Sequence, residues 1–327
     1  MGWLDRWFPG EGHGIDELAR RLHVDPEQLR RTAPRYREFS IAKRRGGRRR
    51  ILAPQTDLKN LQRRILRCIL ARLKSHPAAM GFERGRSIVT NALPHQGQAV
   101  VLRLDVKNFF ASTRAGRVRR YFRLIGWNRP AAALLTRLCT HEGGLPQGAP
   151  TSPRLSNLVN YPLDARLSAM CERLGAVYTR YADDITISLS DEKEDRPLRN
   201  PPPRRGNVSP PPLSSEPNRL RYLRHFVRRV FDQAGYTLHW RKKASIRRRN
   251  HRQLVCGLVV NHRANLPRET RRWLRAVEHR TLLEKQAKTA PLSSLDRGRR
   301  KSPTLTQTQL DGWRALRLMI TQQMEEG

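Results

Sequence analysis

Residues Val177 to Leu189 read Val-Tyr-Thr-Arg-Tyr-Ala-Asp-Asp-Ile-Thr-Ile-Ser-Leu, two runs of β-branched and aromatic residues with Asp183 and Asp184 between them. Such runs have the composition of strands, so the stretch predicts a β-hairpin that presents both carboxylates at its tip. Adjacent aspartates repel and are poor strand formers. The commonest compensation is a divalent cation with oxygen ligands. Taken alone, an Asp-Asp pair is more often a solvated turn, so the rest of the chain has to decide between the two.

Charge narrows the partner. Lys and Arg number 65 against 28 Asp and Glu in 327 residues, a formal net charge of +37. No folding requirement explains that excess, whereas a polyanion does, because each neutralised phosphate releases counterions. Nucleic acid is the first partner to consider and an anionic membrane surface the alternative. No apolar run approaches the ~20 residues of a spanning helix, and Met1 to Gly10 does not resemble a signal peptide. The expectation is a soluble, cytoplasmic protein of two or three lobes. Cys68, Cys139, Cys171 and Cys256 are dispersed without a Cys-x-x-Cys pair, so neither zinc nor a disulfide framework is indicated.

Along the chain, residues 15–31 predict two short helices with basic outer faces, the second opened by Pro26 after Asp25. Gly46-Gly47 between two basic arms predicts a hairpin over phosphates, with a flexible basic tail as the other reading. Leu58, Leu61, Ile65, Leu66, Ile69, Leu70 and Leu73 recur at helical spacing. Gly81 to Ile88 looks like a loop entering a helix that carries Asn91 and His95, and a lone histidine there is more often structural than catalytic. Val100 to Asp105 is an apolar strand ending on a carboxylate, costly unless paired or metal-bound, or else a helix cap. Asp105 is thus the natural third ligand beside Asp183 and Asp184. Between the acidic sites, Gly143 to Pro153 is an elaborate turn or a substrate wall holding Gln147, and it leads into a helix with Leu155, Leu158, Val159 and Leu163. Residues 191–218 are Pro-rich and nearly without apolar side chains, the composition of a disordered insertion. Then follow a helix from Arg219 to Ala234, a turn and strand over Gly235 to Lys243, one strand over Gln253 to Asn261, and helices over 267–284 and 307–324.

The order Asp105, then Leu145-Pro146-Gln147-Gly148, then Tyr181-Ala182-Asp183-Asp184, then Gly235 through Lys242, resembles the palm of a reverse transcriptase, over roughly residues 36–325. Further stretches resemble the retron branch: Gly81-Phe82 with Gly85-Arg86-Ser87-Ile88, Asn91 through His95, Gln147 through Asn157, and Cys256 through Asn261. Departures are Val255-Cys256-Gly257 where retrons have Val-Thr-Gly, Lys242-Lys243 where they have Lys-Thr, and the long insertion after the acidic hairpin. The first bears on which RNA structure is recognised, and none touches the catalytic positions.

The resemblance implies an α+β right-hand polymerase: an N-terminal helical segment (1–36), fingers (37–100 with part of 111–145), a palm with an antiparallel sheet (101–262) and a helical thumb (263–327). It implies that Asp105, Asp183 and Asp184, with the backbone carbonyl of Val106, bind two Mg²⁺ ions. Lys43, Arg49, Gln147 and Lys242 would contact the incoming deoxynucleoside triphosphate, and Phe110 would exclude a ribose 2′ hydroxyl. Nucleic acid would meet Asn91, His95, Cys256 and Gly257, and the thumb's Arg268, Arg271, Arg272, Trp273 and Arg275. The implied partners are a structured non-coding RNA that serves as template and primer, its cDNA, and an effector protein acting with it against phage. Two other readings stay open, a group II intron-like or other defence-type reverse transcriptase and a non-catalytic RNA-binding protein with a polymerase-like fold.

Overall fold

The computed structural model describes residues 12–43, 46–190, 216–240, 244–289 and 306–325. Helix α1 (Ile15–Leu22) and α2 (Pro26–Arg31) carry acids in their first turns and arginines in their last, as the helix dipole favours. Asp25 caps α2 by accepting from the N–H groups of Glu27 and Gln28. Strands β1 (Tyr36–Ala42) and β2 (Arg48–Pro54) pair antiparallel across the expected turn, where Gly46 and Gly47 take φ of 85° and 82°.

Helix α3 (Thr56–Ile65) runs into a π-helical turn at Leu66–Leu70 and ends there, short of the expected Leu73. Ser87 and Thr90 form a capping box on α4 (Ile88–Ala92). The single helix expected for Asn91 and His95 is broken: Pro94 lies in a separate 3₁₀ turn, Leu93–His95. After β3 (Val100–Asp105) come α5 (Phe109–Ser112), α6 (Ala115–Leu124), α7 (Arg129–Cys139), α8 (Ser152–Val159) and α9 (Tyr161–Arg173). Leu163 therefore sits on α9 rather than continuing α8, the break falling at Asn160.

Strands β4 (Ala176–Tyr181) and β5 (Asp184–Leu189) form the predicted hairpin. Of the expected insertion, residues 191–215 lie outside the described residues, and Glu216–Asn218 already belong to α10 (Glu216–Gln233). Residues 235–240 are a turn with one bridge, Val106 to Leu238, rather than a strand. The sheet gains instead β6 (Ser245–Arg248), giving the antiparallel order β4-β5-β3-β6. The strand expected over Gln253 to Asn261 is a two-residue hairpin, β7 (Leu254–Val255) and β8 (Leu258–Val259). Cys256 and Gly257 turn it with φ of 47° and 88°, the double positive φ of a type I′ turn. Helices α11 (Arg268–Thr289) and α12 (Gln307–Glu325) close the chain.

Three apolar clusters hold these elements. Alternation along the strands sends Leu102, Leu104, Ile185 and Ile187 to one sheet face, packed on Leu163, Leu167, Leu223 and Val227 of α9 and α10. A second cluster joins α1, α2 and α3 to α6, α7 and α8. The third joins α4 to β7, β8, α11 and α12 and includes Val101, on the opposite sheet face. No helix among the described residues is long and apolar enough to cross a membrane.

Candidate active site

The face of the sheet turned away from α9 and α10 carries the carboxylates. Register places Asp105, the last residue of β3, opposite Asp184, the first of β5. Ala182 and Asp183 make the two-residue turn between β4 and β5, with Ala182 at φ 57°. Val106 donates its N–H to the Asp183 carbonyl at 3.0 Å, which stitches the tip to the end of β3. Three carboxylates from two chain segments are thereby brought to one edge. Arg103 stands 3.7 Å from Asp184, and His239 stands 3.9 Å from Asp105 while donating its backbone N–H to the Asp105 carbonyl at 2.8 Å.

The all-oxygen donor set of Asp105, Asp183 and Asp184 suits a hard cation such as Mg²⁺. Among the described residues, however, no three His, Cys, Asp or Glu side chains stand close enough together to hold an ion. The shared register and the Val106 bond fit the group at backbone level.

The tip is braced from behind by a fully buried ion pair. Arg180 on β4 makes a two-pronged contact with Asp164 of α9, Nε to Oδ1 at 2.8 Å and Nη2 to Oδ2 at 2.6 Å. Its Nη1 donates to Asn157 Oδ1 and to the Ala182 carbonyl, both at 3.2 Å. Burial opposes the Arg180 charge, but the Asp164 carboxylate more than offsets it and holds the pKa above its ordinary value. The same carboxylate accepts from the Tyr178 hydroxyl at 2.7 Å. Neither Arg180 nor Asp164 stands out in the sequence, since one is an arginine among 65 cations and the other an acid on a helix.

Gly81 lies against the same tip. Met80 extends the β4 edge by donating to the Arg180 carbonyl at 2.8 Å, and Asn157 donates to the Gly81 carbonyl at 2.7 Å. A Cβ on Gly81 would stand 2.7 Å from the Ala182 nitrogen. Gly81→Ala is therefore expected to cost about 1–3 kcal/mol by overpacking backbone on backbone, read as a lowered midpoint in thermal or urea unfolding.

Beyond the tip, Phe110 is half-buried, its ring 5.5 Å from Phe109 and 6.0 Å from Phe82. Phe109 in turn stacks on Tyr236 and lies under the Arg180 guanidinium. Gln147 is bound through its carbonyl to the Leu52 N–H of β2 at 2.8 Å. That bond ties the Gly143–Pro153 loop to the basic hairpin. Arg50 adds a second tie by pairing with both Glu38 and Glu142. Lys43 and Arg49 flank the Gly46-Gly47 turn as expected, and both are exposed. Lys242 lies outside the described residues.

Residues 41–245 match the family of reverse transcriptases (RNA-dependent DNA polymerases). The chain belongs to the reverse transcriptase family. Its curated relatives include the retron Mx162 reverse transcriptase of Myxococcus xanthus, 39% identical over 296 residues, 81% of this chain and 58% of that protein. The retron Mx65 enzyme of the same organism is 36% identical over 275 residues, 79% of this chain and 58% of that protein. The retron Ec86 enzyme of Escherichia coli is 38% identical over 188 residues, 56% of this chain and 59% of that protein. Within the family the similarity thus lies with the retron type, and the chain spans somewhat under three fifths of the length of these relatives. A solved structure of telomerase from Candida albicans, with a fragment of telomeric RNA, aligns at a TM-score of 0.47 and 11% identity over 73% of this chain and 47% of that one.

Two of the residues expected to meet nucleic acid, His95 and Asn91, are buried. His95 has no exposed surface: its Nδ1 meets Ser188 Oγ at 2.7 Å and its Nε2 meets Thr179 Oγ1 at 2.8 Å. Burial pushes its pKa down to about 3, so the ring is neutral at physiological pH. Asn91 is 1% exposed and donates to Cys256 Sγ at 3.2 Å. Cys256 is half-buried beside the aspartate tip, and burial, followed by the charge of Asp184, pushes its thiol up to about 12. Gly257 is exposed on the β7–β8 turn. On α11, Arg268, Arg271, Arg272 and Arg275 are all exposed, and Trp273 packs edge-on against Trp313 at 6.1 Å.

Proposed function

We propose that this chain is an RNA-directed DNA polymerase of the retron type, copying part of a cognate structured RNA into single-stranded DNA. The observation that carries the reading is the register of Asp105 opposite Asp184 on the polar sheet face, with the Asp183 carbonyl bonded to Val106. In this reading the sheet with α9 and α10 is the palm, the β1–β2 hairpin belongs to the fingers, and α11 and α12 form the thumb. Asp105, Asp183 and Asp184, with the Val106 carbonyl, would hold two Mg²⁺ ions, whose chemistry would be to activate the 3′ hydroxyl and neutralise the charge of the departing pyrophosphate.

Phosphoryl transfer asks the protein chiefly for positioning and charge. Lys43 and Arg49 grip the triphosphate from the fingers turn, and Lys242 is a further contact to it. Gln147 lines the nucleotide pocket at a height set by its bond to Leu52. The Phe110 ring, wedged between Phe109 and Phe82, closes the space a 2′ hydroxyl would need, so deoxynucleotides are preferred. The exposed arginines of α11 track the sugar-phosphate backbone. The protein acts in the cytoplasm with its own non-coding RNA and, in phage defence, with an effector protein.

Purified protein with its co-purifying RNA, Mg²⁺ and deoxynucleotides is expected to yield cDNA templated by that RNA, and Asp183→Asn to yield none. Equal synthesis by the variant would refute the assignment.

A further inference from the structure

Along β5, the sheet face that presents the carboxylates is polar. Behind Asp184 on β5 stand Thr186 and Ser188, and beside them on β4 stands Thr179, all three at most 2% exposed. Thr179 pairs with Thr186 and Val177 with Ser188, so Thr179 and Ser188 face each other diagonally across the hairpin. Two buried hydroxyls on neighbouring strands would each cost free energy without a partner. The His95 ring supplies both.

A neutral imidazole has one donor and one acceptor nitrogen, so His95 donates to one hydroxyl and accepts from the other. The pair of bonds crosses from β4 to β5 outside the ladder. It adds a side-chain brace to the offset that the β4–β5 ladder already sets. The tip with Asp183 and Asp184 closes that hairpin, so the brace steadies the two strands that carry the tip over Asp105.

The other end of the same short segment is anchored elsewhere. Asn91 binds Cys256 in the β7–β8 turn, and Val89 and Ala92 pack with Val255, Leu258, Leu274 and Ile320. Residues 88–95 therefore touch the aspartate hairpin through His95 and the root of α11 and α12 through α4. Together with Val101 of β3, which packs in the same cluster, this segment holds the carboxylates and α11 in one frame.

We propose that His95 is a positioning residue, which registers the aspartate hairpin against the α11–α12 unit and makes no contact with RNA. The inference rests on the polymerase reading. The test uses the full chain with poly(rA)·oligo(dT) and dTTP, comparing wild type, His95→Gln and His95→Leu. Leucine keeps the bulk and removes both bonds, while glutamine keeps a donor and an acceptor.

His95→Leu is expected to lower kcat about ten- to a hundredfold, as misplacement on the scale of an ångström does. The KM for dTTP, and the affinity and stoichiometry of template–primer binding, should stay within about twofold of wild type. Glutamine should restore a large part of kcat. If the leucine variant loses folded protein, Thr179→Val with Ser188→Ala keeps the claim testable: removing both hydroxyls should itself lower kcat about ten- to a hundredfold, with template–primer affinity unchanged. Template–primer affinity falling while kcat holds, or kcat unchanged in both His95 variants, would overturn the proposal. A wild type that incorporates no dTTP would overturn the polymerase reading itself.

Discussion

Asp105→Asn is expected to reduce deoxynucleotide incorporation by about a thousandfold or more, equivalent to about 4 kcal/mol of barrier, the scale at which a catalytic metal stabilises transition-state charge. The substitution preserves size and shape. It also leaves the backbone of β3 untouched, including the Asp105 carbonyl that accepts from His239 and the pairing with Asp184. What changes is one formal charge at the point where two segments distant in sequence converge. Because Asp105 is only 7% exposed, water would not replace the missing charge. Single-turnover incorporation on a saturating template–primer, beside a thermal melt, separates the two effects. The melt should move little and the rate constant should collapse. A variant that kept a tenth of wild-type activity would mean that Asp183 and Asp184 serve without a third carboxylate.

The sequence made that convergence readable because each half leaves a local trace. β3 and the β4–β5 hairpin are runs of β-branched residues interrupted by acid, and burying acid beside such runs is costly enough to suggest a shared ligand. The amphipathic helices were equally plain from their spacing, and the Gly46-Gly47 turn from its composition. What stayed hidden depends on partners remote in the chain. β6 reads Ser-Ile-Arg-Arg, without apolar alternation, and is a strand only because the edge of β3 offers its backbone pairing. The β7–β8 turn falls on Cys256, a residue with no turn preference, so an apolar run looked like a single strand.

Electrostatics hid in the same way. An excess of 37 positive charges points to a polyanion, and that inference treats cations as a class. Arg50, Arg154 and Arg180 are instead committed to the internal carboxylates Glu38 and Glu142, Glu83, and Asp164. His95 was legible as structural rather than catalytic, but not as the partner of two hydroxyls on strands 84 and 93 positions away.

Asp164→Asn is expected to destabilise the fold by about 3–5 kcal/mol, the usual result of removing one partner from a buried ion pair. Both side chains of the Asp164–Arg180 pair have no exposed surface. Neutralising Asp164 leaves the guanidinium charged, since its pKa lies far above any working pH, and water cannot enter to solvate it. An amide also accepts more weakly from Tyr178 and turns its own N–H₂ group toward one of the three donors now converging on the site. Urea unfolding should show the midpoint falling at constant slope. Asp164→Leu combined with Arg180→Met should recover much of the loss, because the penalty belongs to the orphaned charge and not to the missing attraction. The double variant separates stability from function. It refills the volume but leaves the Ala182 carbonyl without its Arg180 donor, so a protein restored in midpoint yet still slow in incorporation would locate the purpose of the pair at the tip. A loss below about 1 kcal/mol for Asp164→Asn would instead place the pair in the class of solvent-screened contacts, against its complete burial.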